Sequence, residues 1–184
     1  MGTLRLTGGT LRSRSVRTPS GRAVRPTPAR VKEALFSILG PRIAGARVLD
    51  LYAGTGALGL EALSRGAAHA TFVEAHRPTA DALRRTVDEL ALGDRATVLA
   101  FPVERAARSL EGRYDIVFAD PPYAQAYPQA TFAALRERGT IDPGSLLVYE
   151  HSARSDAPAD PGFRCERTAR YGAVALSFLR AEAA

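Results

Sequence analysis

Asp50-Leu51-Tyr52-Ala53-Gly54-Thr55-Gly56-Ala57-Leu58-Gly59 decides how this chain folds. The run Val48–Tyr52 that leads into it has the apolar, β-branched character of a strand, and Ala57–Ser64 reads as a helix ended by Gly66. Gly54 and Gly56 take side chains away where the backbone must turn tightly and a ligand must come close. The helix behind them aims its free N–H groups at that ligand. Twenty residues after Gly54, Glu74 closes the next strand, where a carboxylate can accept hydrogen bonds from two ribose hydroxyls.

The same strand–helix alternation runs outward from this turn. Ala70–Glu74 is the second strand, and a helix follows over Pro78–Leu92, with Pro78 suited to its first turn. Ala96–Phe101, a helix over Val103–Leu110, Tyr114–Ala119, a helix over Pro128–Arg138 and Ser145–Glu150 continue the series. Phe163–Thr168 and Ala173–Leu179 read as a closing antiparallel pair, with Tyr171-Gly172 as the turn between them. The pattern predicts an α/β fold: a mostly parallel seven-stranded sheet covered by helices on both faces, with an antiparallel C-terminal pair. In such sheets ligands sit beyond the carboxyl ends of the strands.

Upstream, a helix is predicted over Ala29–Leu39, stopped by Gly40-Pro41. Residues 3–17 read as a small hairpin, because Leu4 and Leu6 alternate with polar or basic neighbours and Gly8-Gly9 is a turn signal. Pro19, Gly21, Pro26 and Pro28 make residues 18–28 an irregular connector. The expected division is a basic hairpin or arm over residues 1–28 and one α/β domain over residues 29–184.

The chain has 184 residues, 46% of them hydrophobic, enough for one core. No apolar run has the length to span a bilayer, and the arginine-rich start lacks the apolar centre of a secretory signal. Cys165 is the single cysteine, so no internal disulfide framework exists and the cytoplasm is the expected compartment. The formal charge of +6 is uneven: residues 1–32 hold Arg5, Arg12, Arg14, Arg17, Arg22, Arg25, Arg30 and Lys32 with no acid, so that segment carries +8 and the rest −2. A basic arm on a near-neutral body points to a polyanionic partner, with Arg5, Arg12, Arg14, Arg25 and Arg30 as candidate phosphate contacts. The structural alternative is a solvated tail.

The second informative stretch is Asp120-Pro121-Pro122-Tyr123, after the strand Tyr114–Ala119. The exocyclic amine of a nucleobase is a poor nucleophile because its lone pair is conjugated with the ring. Two acceptors aimed at its hydrogens free that lone pair, and the Asp120 carboxylate and Pro121 carbonyl supply them. Proline fixes its own φ and restricts the residue before it, so Pro121-Pro122 holds both acceptors rigidly. Tyr123 offers a ring on which a base can stack. Alone, the motif is equally a proline turn that ends a strand. Beside the glycine turn it suggests a methyl donor held in one turn and an aromatic amine in the other. The segment Gly54–Gly59 also satisfies the dinucleotide fingerprint, Glu74 included. Asp50, placed to meet a donor's ammonium group, and the short chain favour a methyl donor over a nicotinamide.

Three segments together resemble a known family: Arg25-Pro26-Thr27-Pro28-Ala29-Arg30-Val31-Lys32-Glu33-Ala34-Leu35-Phe36, then Leu49 through Gly59 with its continuation Leu60-Glu61-Ala62-Leu63-Ser64-Arg65-Gly66-Ala67, then Asp120-Pro121-Pro122-Tyr123. They look like the ribosomal RNA small subunit methyltransferase D family, and Leu6-Thr7-Gly8-Gly9 resembles its opening. The resemblance implies a Rossmann-like class I methyltransferase with S-adenosylmethionine as donor, S-adenosylhomocysteine as product, and the N2 amine of one guanine in 16S rRNA as acceptor. It implies donor contacts at Asp50, Gly54, Gly56 and Glu74, within a turn that includes Tyr52 and Ala53, and catalytic roles for Asp120, Pro121 and Tyr123, with Pro122 completing the turn. Its substrate would be an assembled or partly assembled small subunit, met by a monomer and away from any membrane. One position departs from the family. Relatives often carry Asp or Asn after the third strand to bind adenine, and Pro102 stands here, so the backbone N–H of Val103 with apolar packing takes that contact.

Other acceptors remain open, an adenine N6 or a protein amide, as do a nicotinamide-dependent oxidoreductase and an RNA-binding module without catalysis. Glu61 and Arg65, four apart on a helix, read as a surface pair. Cys165 reads as buried packing and Tyr127 as a cover for the site or its loop. His69, His76 and His151 lack metal-ligand spacing, so no metal is expected, though His151 follows a strand end near the cleft.

Overall fold

A computed structural model describes residues 2–18, 28–122 and 125–183. Most of the expected connector, with Arg25, and the motif residue Tyr123 lie outside the described residues. The hairpin strands are β1 (Gly2–Arg5) and β2 (Ser15–Thr18), paired antiparallel. Helix α1 spans Ala29–Leu39. The alternating series is β3 (Arg47–Leu51), α2 (Ala57–Ser64), β4 (His69–Val73), α3 (Arg77–Glu89), β5 (Ala96–Leu99), α4 (Val103–Ser109), β6 (Ile116–Ala119), α5 (Gln129–Glu137) and β7 (Leu146–Ser152). Two long strands close the chain, β8 (Phe163–Tyr171) and β9 (Val174–Ala181).

The sheet order is β5-β4-β3-β6-β7-β9-β8, parallel through β7 and antiparallel at β9 and β8. This is the predicted Rossmann-like arrangement, with the small hairpin as a separate two-stranded sheet. Successive residues of the central strands point to opposite faces. Val48, Phe72, Ile116, Phe118 and Val148 face a core shared with α1, α2 and α3. Leu49, Leu51, Val117, Ala119, Leu147 and Tyr149 face a second core with α4 and α5. Burial on both faces explains why β6 reads as a continuous apolar run, and why β3 after Arg47 is broken only by Asp50, instead of alternating.

Helix α2 is buried at every residue, because the hairpin covers the side that the sheet leaves open. Leu4, Leu6 and Val16 of the hairpin join the α1–α2 core. The turn in the hairpin lies directly on the end of α2: the Thr10 N–H donates to the Ser64 carbonyl at 2.8 Å. Gly9 has φ +75, and a Cβ there would collide with the Ser64 carbonyl. The expectation of a surface Glu61–Arg65 pair is therefore corrected. Glu61 is 0% exposed and faces the hairpin, where Lys32, 2% exposed, is also its partner. Lys32 thus drops out of the charge available to a polyanion.

Cys165 is a second correction, since it is exposed. A bulge between Cys165 and Arg167 shifts the register of the edge strand β8 and breaks the in–out alternation that packing inside would require.

Candidate active site

The chain runs outward from β3 to β5 and then returns to place β6 on the other side of β3. That reversal is a topological switch point, where the loops diverge and leave a crevice. The register fixes what lines it. Val73, Leu51, Ala119 and Tyr149 are neighbours across β4, β3, β6 and β7. The residues that follow them, Glu74, Tyr52, Asp120 and Glu150, therefore reach the carboxyl edge of the sheet side by side.

All four line one cleft of about 1420 Å³. Asp50, Ala53, Gly54, Val103, Pro121 and Pro122 line it too, so both predicted motifs open onto the same space. Gly56 does not. It caps α2 in a left-handed conformation, φ 77, and a Cβ on it would meet the Leu83 side chain at 2.5 Å, so it shapes the turn from behind. The arginines Arg5, Arg12, Arg14 and Arg30 are exposed and lie outside the cleft lining.

The glycine turn is tied down by its surroundings. The Ala53 N–H donates to the Val73 carbonyl at 2.9 Å, and the Gly56 N–H to the Ala53 carbonyl at 2.7 Å. Glu74 accepts from the Gly54 N–H at 2.9 Å through one oxygen and from the His76 N–H at 2.7 Å through the other. Each carboxylate oxygen has two lone pairs, so each keeps one for a ligand hydroxyl. Tyr52 holds φ 60, a left-handed conformation uncommon for a non-glycine residue.

Asp50 is nearly buried and accepts from the Gly59 N–H at 2.9 Å. Burial pushes its pKa up to about 8; the Gly59 hydrogen bond works against that, and the charges of Asp120 and Glu74 add to it. Asp120 is raised to about 6 by burial. The Tyr52 hydroxyl is pushed up to about 12, by burial first and then by Glu104 and Tyr149, against the Gln125 side chain. The carboxyl groups of Asp50, Glu74, Asp120 and Glu150 line one cleft and make it a place where positive charge is favoured.

Pro102 precedes α4 and Val103 is its first residue, buried and on the cleft wall, so its N–H belongs to the free set at a helix start. Phe101 lines the same wall beneath the Arg105 guanidinium, 4.6 Å from the ring centre. The far wall holds aromatic residues that the sequence reading placed less fully. Tyr127 packs edge-on against Tyr149 at 5.1 Å and donates to Asp160 at 3.0 Å. Tyr149 stacks on His151 at 5.6 Å. His151 lies within β7, buried, its Nε2 2.8 Å from the Ser177 hydroxyl. Tyr149 was missed; it is the last residue of β7 paired with β6, opposite Ala119.

A seven-stranded sheet of this order, with loaded turns on both sides of its switch point, is the Rossmann-like class I methyltransferase fold. The chain belongs to the family described as Conserved hypothetical protein 95, which matches residues 4–180. Ribosomal RNA small subunit methyltransferase D of Escherichia coli K12 is 34% identical over 183 residues, covering 99% of this chain and 92% of that protein. The solved structure of the Escherichia coli protein yhhF has a TM-score of 0.89 at 35% identity and covers 100% of both chains. An RNA methyltransferase from Salinibacter ruber, in complex with S-adenosyl-L-homocysteine, shares the fold at a TM-score of 0.68 and 17% identity, over 87% of this chain and 96% of that one. The family resemblance read from the three sequence segments is borne out.

Proposed function

We propose that this protein transfers a methyl group from S-adenosylmethionine to the exocyclic N2 of a guanine in 16S rRNA, acting as a cytoplasmic monomer on assembled or partly assembled small subunits. The observation that carries the reading is the convergence of Asp50, Glu74 and Asp120 on one cleft between the two turns. S-adenosylmethionine, when bound, supplies an electrophilic methyl on a positively charged sulfur, and its ammonium group adds a second charge. An acidic cleft suits those charges. A nicotinamide dinucleotide would bring its pyrophosphate toward the same carboxylates, which disfavours the oxidoreductase reading.

In this reading Asp50 pairs with the ammonium, Glu74 takes the ribose hydroxyls, Gly54 and its neighbours give the backbone room, and Val103 offers its N–H to the adenine. Asp120 and the Pro121 carbonyl hold the two hydrogens of the guanine amine and turn its lone pair outward. A carboxyl raised to about 6 is mostly ionised at neutral pH and can also take the proton that the amine loses. Tyr123, from its place in the motif, stacks the splayed base. The enzyme's contribution is mainly positioning and oriented acceptors. Arg5, Arg12, Arg14, Arg25 and Arg30 contact phosphates and set orientation.

The test is labelled-methyl transfer onto small subunits lacking the modification, followed by nucleoside analysis. N2-methylguanosine is the expected product. N6-methyladenosine, or label on protein, would reassign the acceptor.

A further inference from the structure

We infer that Glu61 is a positioning residue: it fixes the arginine-bearing hairpin to the helix that carries the donor turn, so that the grip on RNA and the methyl donor share one frame. The inference rests on the reading of the hairpin as an RNA contact and goes beyond it, since Glu61 touches neither donor nor acceptor.

Helix α2 has eight residues, a rod of about 12 Å at 1.5 Å per residue. Its first turn faces the donor cleft, and the Gly59 N–H there holds Asp50. Its later residues hold the hairpin. Glu61 Oε2 accepts from the Thr7 N–H at 2.9 Å and pairs with Lys32 Nζ at 3.0 Å. Glu61 Oε1 accepts from the Thr7 hydroxyl at 2.8 Å and from Arg65 Nε at 2.8 Å. Lys32 reaches on to the Arg5 carbonyl at 2.7 Å, so one lysine from α1 joins β1 to α2. Next to it, the Ser64 hydroxyl donates to the Gly8 carbonyl at 2.6 Å and accepts from the Leu11 N–H at 3.0 Å.

A two-stranded hairpin is barely stable alone, so this one takes its order from what it docks on. Apolar contact through Leu4, Leu6 and Val16 would hold it without fixing its register, because hydrophobic attraction has no direction. Four donors converging on one buried carboxylate do have direction, and only one placement of Thr7 satisfies them. Burial raises the Glu61 pKa, and the Thr7, Arg65 and Lys32 contacts more than reverse it, so the group stays charged. The guanidinium of Arg65 also lies over the Phe36 ring at 5.0 Å, which ties α1 into the same joint. Arg12 and Arg14 extend from the loop so anchored, and their positions relative to Asp50 depend on Glu61.

The experiment is a double-mutant cycle in the full-length protein. Glu61→Gln, the pair Arg12→Ala with Arg14→Ala, and all three together are compared for methyl transfer to unmodified small subunits and for calorimetric binding of S-adenosylhomocysteine. Glu61→Gln is expected to raise the KM for subunits about tenfold and leave kcat and S-adenosylhomocysteine affinity within twofold. The triple variant is expected to be no worse than the arginine pair, because misplaced arginines have little left to lose. Thr7→Val, which removes one donor from the hairpin side, gives a smaller shift of the same kind and replaces Glu61→Gln if that chain does not fold. Effects that simply add, or a loss of S-adenosylhomocysteine affinity in step with KM, would overturn the inference and leave Glu61 as ordinary support for α2. An arginine pair that leaves KM and its salt slope untouched would instead remove the RNA role of the hairpin itself, and with it the inference.

Discussion

The turn after β3 and the turn after β6 end neighbouring strands, yet they are held in different ways. The first depends on hydrogen bonds from elsewhere: Val73 holds Ala53, Glu74 holds Gly54, and α2 holds Asp50. The second carries its stiffness within the chain, since Pro121 and Pro122 have fixed φ and no N–H to satisfy, and the hydrogen bond that follows is Gln125 N–H to the Pro122 carbonyl at 2.8 Å. The donor turn should therefore fail through its acids, whereas the acceptor turn should keep its shape and lose only chemistry when its acid is removed.

The largest effect is expected from Asp120→Ala. Methyl transfer at saturating donor should fall by roughly a thousandfold, the scale of a lost general base or charged acceptor, while S-adenosylhomocysteine binds as before. A parallel loss of binding would make Asp120 part of the donor site and erase the contrast. Next comes Glu74→Ala, which in the proposed reading removes acceptors for two hydroxyls and leaves the Gly54 N–H without its partner. At about 1–1.5 kcal/mol for each hydrogen bond lost, donor affinity should drop about fiftyfold, with kcat recovering at high donor concentration. A fall in kcat that persists at saturation would show the two turns to be mechanically coupled.

The smallest effect concerns protons. With a folded pKa of about 8 against an ordinary 3.8, Asp50 in the donor-free protein is mostly neutral at pH 7. A donor ammonium beside it favours the ionised form, so donor binding at pH 7 should release a fraction of a proton, read as a dependence of calorimetric heat on buffer ionisation enthalpy. The same shift fixes a stability trend. The folded chain holds this proton where the unfolded chain has lost it, so the stabilisation is complete below about pH 4 and is lost as pH rises through about 8. Asp50→Asn should abolish both the release and that share of the decline. Unchanged proton release in this variant would move the titration to another group.

Much of this was legible beforehand because a parallel sheet writes itself plainly. Strands buried on both faces are largely apolar, and the residue after each is the one that reaches the cleft. Glu74 and Asp120 were singled out by that rule and Asp50 by its place inside the glycine motif, and Ala29–Leu39 and Ala57–Ser64 were bounded as they fold. Glu61 was misread because its spacing from Arg65 is the same whether the pair faces water or a second layer. The better signal was Leu58, Leu60, Ala62 and Leu63 around it, which leave α2 without a wet side. Cys165 was misread because a bulge removes the period on which burial from sequence depends. The aromatic wall of Tyr127 and Tyr149 comes from the loop after β6 folding against strand β7, which spacing along the chain does not encode.

The outer margin of the sheet carries its own instruction. Arg164, Glu166, Arg167 and Arg170 stud β8, Arg164 and Arg180 lean on Glu166, and the bulge at Cys165 kinks the strand where a neighbour would have to align. A second copy seeking to add its own strand there would meet guanidinium groups and a broken ladder. The sheet can thus end at β8 without growing sideways into fibres.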